Sequence, residues 1–138
     1  MHAMAATDAD HILESFELAA ERAGDITEEV YRRYYENCPE SAEIMSHVDV
    51  YMQGRMMNEV LNLVMTDPDE SEQYLAYETR NHASWGVRGH MYVNLLQAVR
   101  DTVRAAVGDD WNQTVDAAWQ NRIDHLLRTI EAASPPEP

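Results

Sequence analysis

A chain of 138 residues with 45% hydrophobic content is long enough to form one domain around a single sizeable core. Its formal charge of −15 sets 25 acidic residues against ten basic ones, all arginine, so phosphate backbones and anionic membranes are repelled rather than bound. Cys38 is the only cysteine, which excludes an internal disulfide and a cysteine-built zinc site and leaves it as a small buried hydrophobe.

The N-terminal stretch MHAMAATDADH has neither a basic region nor an apolar core, so no secretory signal and a cytoplasmic location are expected. No run approaches the roughly 18 apolar residues that a membrane helix needs. Apolar residues recur at helical spacing nearly everywhere, with no convincing alternating strand. Thr7 and Asp10 have the spacing of a capping box opening a first helix, with Ile12, Phe16, Ala19 and Ala20 on one face. Gly24 is its natural stop, and Asp25 the expected cap of a second helix carrying Ile26, Val30, Tyr31 and Tyr34. Pro39 ends that helix, because the residue before a proline is pushed out of the helical region. A short third element is expected over residues 40–45.

A long helix over residues 48–65 follows, with Tyr51, Gly54, Met57, Leu61 and Val64 on one stripe. Asp67-Pro68-Asp69 breaks it and opens a helix over residues 69–83, and Trp85-Gly86-Val87 makes a corner. The last two helices begin at Gly89 or His90 and at about Asn112. Their stripes are Leu95, Leu96, Val99 and Val103, then Val115, Trp119, Ile123, Leu126 and Ile130. The expectation is all-α, about seven helices, one domain over residues 1–133 and a disordered tail, SPPEP, over 134–138.

The histidines discriminate better than the numerous acids. His2, His11 and His125 read as surface residues. His82 falls in the last turn of its helix, with Leu75 and Glu78 at i−7 and i−4 on the same side. Position alone favours a structural histidine at a helix end, where the dipole suits a cation. No second histidine stands at i+3 or i+4, there is no HExxH or calcium loop, and the Glu78–His82 spacing is not the ExxH of di-iron bundles. A phosphate loop, a GxSxG elbow and a Cys/His dyad are missing too. A haem needs only one strong protein ligand and an apolar slot.

The segment NHASWGVRGHMY resembles the proximal haem region of globins: a histidine, three residues, Gly-Val, and a tyrosine ten positions after the histidine. YMQGRMMNEVL resembles the globin distal helix, with Gln53, Gly54, Met57 and Leu61 filling its pattern, and Gln53 stands 29 positions before His82, a common globin separation. Tyr31 lies eight residues before Pro39, where the family carries its second-helix pocket residue, and VGDDWNQTVDAAW resembles the entry to the final helix of bacterial haemoglobins. The four motifs stand in order, and the resemblance covers about residues 8–133. The Tyr31/Gln53 pair is most similar to flavohaemoglobins and the Vitreoscilla-type single-domain haemoglobins.

That resemblance implies a three-over-three globin fold holding haem b, with His82 as proximal iron ligand. Tyr31 and Gln53 would donate hydrogen bonds to bound O2, and Met57 would give an apolar wall. Tyr92 would lie close to the proximal ligand. Leu61, Val87 and Leu95 would pack on the haem, and Arg88, Tyr51 or His90 would approach a propionate, His90 otherwise being a surface residue. The family's haem-stacking phenylalanine is absent; Met45 takes its place by count, with His47 and Tyr51 as alternatives. Glu78 stands where an aliphatic residue usually supports the haem, and is expected to face solvent or pair with an arginine. Ser134 and Asn81 stand where flavohaemoglobins have a glutamate and often a lysine.

The implied function is reversible binding of O2, and of NO and CO, for storage or delivery, in a monomer or homodimer. The alternatives are an NO dioxygenase served by a separate NAD(P)H-dependent reductase, a gas sensor, or a globin that has lost its haem.

Overall fold

The computed structural model describes residues 7–134, and among these every regular element is helical: seven α-helices and two short 3-10 turns. The expected tail, apart from Ser134, and His2 lie outside the described residues. Helix α1 spans Asp8–Ala23 and opens with the capping box: the Thr7 hydroxyl accepts from Asp10 N–H at 3.2 Å, and the Asp10 carboxylate accepts from Thr7 N–H at 2.9 Å. Helix α2 spans Thr27–Asn37; Asp25 accepts from Thr27 N–H, but Ile26 holds the cap position itself. Helix α3, Pro39–Ile44, starts on the proline that ended α2, and a 3-10 turn over Met45–His47 follows.

Helix α4 spans Val50–Met65 and starts two residues later than the apolar pattern suggested, because the Asp49 carboxylate caps it by accepting from Met52 N–H at 2.8 Å. Its first turn runs past the core, which leaves Tyr51 82% exposed rather than on the buried stripe. Helices α5, Pro68–Ala83, and α6, Gly89–Val107, meet at the expected corner. There Gly86 adopts φ 89°, a conformation open to glycine at little cost, and Val87 N–H returns to the His82 carbonyl at 3.2 Å. Helix α7, Gln113–Ala133, is capped by Asn112.

Helices α1, α4 and α5 form one layer and α2, α6 and α7 the other, with contacts within each layer and across from α1 to α6 and α7, from α5 to α7 and from α2 to α4. This is the three-over-three sandwich that the resemblance implied. Two buried polar side chains tie α7 to the opposite layer. Trp119, fully buried, donates its indole N–H to Ser15 on α1 at 3.0 Å. The buried Arg122 guanidinium donates to the Val64 and Thr66 carbonyls at 2.5 and 2.8 Å, satisfying acceptors that the end of α4 leaves without helical partners. Cys38 is buried and free, as expected.

Candidate functional site

The two layers do not close over their full length. Residues of α4 and α5 on one side and of α2, α6 and α7 on the other line a cavity whose open space, mouth included, is about 1010 Å³. The wall is mainly aliphatic and aromatic; Glu59, Glu78 and His82 are its ionisable exceptions besides tyrosines, and no arginine is among its described lining residues.

His82 reaches the wall from the last turn of α5. Its Nδ1 lies 2.7 Å from the backbone carbonyl of Glu78, one turn earlier. A carbonyl can only accept, so in the neutral ring the proton sits on Nδ1 and Nε2 keeps its lone pair. Nε2 makes no hydrogen bond among the described residues. The Glu78 carboxylate also faces this ring, with Oε2 3.4 Å from Nδ1, and it lines the cavity. The expectation that Glu78 faces solvent or pairs with an arginine is therefore corrected: at i−4 from His82 it shares the inward face of α5.

Tyr31 is buried on the wall, and its hydroxyl donates to the Gln53 backbone carbonyl at 3.1 Å. Burial, and then the neighbouring Tyr35, push its phenol up to about 12, so it stays a neutral donor at any ordinary pH. Tyr31 and Tyr35 stack at 5.7 Å between ring centroids, and the Tyr35 oxygen lies 3.5 Å from the Gln53 carboxamide nitrogen. The structure thus turns the Gln53 side chain toward Tyr35 and leaves it off the cavity lining.

The other expected pocket residues divide. Met45, Val87, Tyr92 and Leu95 all line the cavity, with Met45 at the place counted for the missing phenylalanine. Met57 and Leu61 do not. Met57 is wholly buried in the core, and Leu61 packs against that core, while Met56, Val60 and Leu63 supply the α4 wall. The reason is helical geometry. At about 100° per residue, 56, 59, 60 and 63 fall within an arc of roughly 100°, whereas 57 and 61 lie roughly 110° and 150° from its centre. Tyr51, Arg88 and His47 are exposed and line no part of the cavity, and exposed His90 lies 3.3 Å from Glu40 instead. Tyr92 is distinctive: its hydroxyl is buried with no hydrogen-bond partner among the described residues. Burial, then the Glu78 charge, raise its phenol to about 12.

These donors suit a flat apolar group that accepts one neutral nitrogen ligand: an imidazole with a free Nε2 at the edge of a mainly hydrocarbon slot. The unpartnered Tyr92 hydroxyl also implies something polar within reach, since an orphaned buried hydroxyl is costly. Comparison with known protein families matches the globin family model to residues 30–130, which takes in α3, α4, α5 and α6 whole and most of α2 and α7.

Proposed function

This chain belongs to the globin family, and we propose that it binds haem b through His82 and reversibly binds O2 on the cavity side facing Tyr31. Globins in general bind haem and small gases. When bound, the haem supplies an iron with one coordination position open to a diatomic ligand. The observation that carries the proposal is the His82 hydrogen bond. Nδ1–H donates to the Glu78 carbonyl at 2.7 Å, which fixes the tautomer and ring orientation and leaves Nε2 to ligate.

The surrounding side chains do the rest. Tyr31, held neutral by burial, keeps a hydroxyl proton to give to a partly anionic ligand once it releases the Gln53 carbonyl. Gln53 acts from off the wall, its backbone carbonyl accepting from Tyr31 and its carboxamide nitrogen donating to the Tyr35 oxygen. Met45, Val87 and Leu95 exclude water from the slot, and the polarizable Met45 sulfur serves where an aromatic ring is missing.

The absorption spectrum of the purified protein tests this directly. An intense band near ~410 nm that shifts on reduction and on adding CO is expected for histidine-ligated iron. His82→Ala should abolish the band or make it depend on added imidazole. Unchanged haem content and spectrum in that variant would remove His82 from the site.

A further inference from the structure

One hydrogen-bond acceptor and one negative charge lie beside the Nδ1–H of His82. The backbone carbonyl of Glu78 lies 2.7 Å from Nδ1 and the carboxylate of the same residue lies 3.4 Å away. Both come from one residue at i−4, where side chains one turn apart share a helix face, and the aliphatic Leu75, Val87 and Leu95 line the same cavity. A carboxylate behind a ligating imidazole makes the ring a stronger electron donor than a carbonyl alone does. The charge is felt further along the wall, where it helps raise the Tyr92 phenol.

We propose that Glu78 is a positioning residue of the proximal side: its carboxylate charge, 3.4 Å from Nδ1, adds to the hydrogen bond that Nδ1–H gives the Glu78 carbonyl and so strengthens the bond that Nε2 makes to iron. This rests on His82 being the ligand. Within the wall no arginine competes for the carboxylate, and His82 is the basic side chain that the structure pairs with it.

The test compares two carboxylates of the same cavity in the haem-loaded protein: Glu78→Gln, which keeps shape and removes charge beside His82, and Glu59→Gln, which removes a charge on the α4 side. The iron–histidine stretching band of the ferrous protein, read by resonance Raman, should move to lower frequency in Glu78→Gln and stay in place in Glu59→Gln. The reduction midpoint potential should rise in both, since each removes a negative charge, and rise further in Glu78→Gln. An unmoved stretching band in Glu78→Gln, or an equal shift in both variants, overturns the proposal. Failure of the underlying ligation shows separately, as a His82→Ala protein with an unchanged spectrum, and overturns both.

Discussion

Adjacent methionines on α4 have opposite duties. Met57 is wholly buried among core side chains, so Met57→Ala should destabilise the fold by about 2–5 kcal/mol, as truncations of buried methionine do. Met56, half-buried on the cavity wall, should cost far less stability on truncation and instead loosen haem retention. Denaturant midpoints and haem-loss rates of the pair separate the two roles, and equal destabilisation would contradict the placement of Met56. Tyr31 poses the other residue-scale question, because its hydroxyl is engaged with the Gln53 carbonyl. Tyr31→Phe should speed O2 dissociation about tenfold, the kinetic equivalent of one net hydrogen bond of ~1–1.5 kcal/mol. Stopped-flow measurement with an unchanged off-rate would mean the hydroxyl never leaves Gln53.

Among the elements, α4 meets α7 at its carbonyl end through one buried guanidinium. Burial lowers the pKa of Arg122, the charges of Asp67 and Asp8 oppose that, and the Val64 and Thr66 carbonyls accept its protons. Arg122→Met fills similar space but leaves those carbonyls without their donor. Unfolding by denaturant should show a loss of about 2–3 kcal/mol, the usual cost of stranded buried polar groups. A loss below half a kilocalorie would mean that water replaces the guanidinium. Since α4 carries the Met56, Val60 and Leu63 wall, the same variant should also bind haem less firmly.

At the scale of the whole molecule, acidity governs the response to pH. Hydrogen bonds from the Thr7 backbone and then its hydroxyl hold Asp10 below its ordinary pKa; those from Thr27 do so for Asp25. Burial raises Asp116, but Trp111 and Arg100 outweigh it, and Arg32 holds Glu29 at about 2. A carboxylate with a depressed folded-state pKa stabilises fully above its unfolded value near 4, and that contribution is lost as pH falls through the folded value. Thermal midpoints should therefore fall progressively below about pH 4, and a midpoint flat from pH 4 to 2 would show these contacts to be absent in solution.

Caps, breakers and apolar stripes are local, so the Thr7–Asp10 box, the stop at Gly24, the breaks at Pro39 and Pro68, and the all-α class were legible from residues alone. The spacing of His82 behind the distal helix, with Tyr31 and the Gly86-Val87 corner, pointed to the family and to the site. What the order of residues could not decide is which neighbour each side chain meets across the layers. The rotation of α4 put Met56 on the wall and Met57 in the core, Tyr35 drew Gln53 aside, and the inward face of α5 brought the Glu78 carboxylate to His82. Each of these depends on packing between helices distant in sequence, where a turn of tens of degrees about an axis exchanges one partner for another.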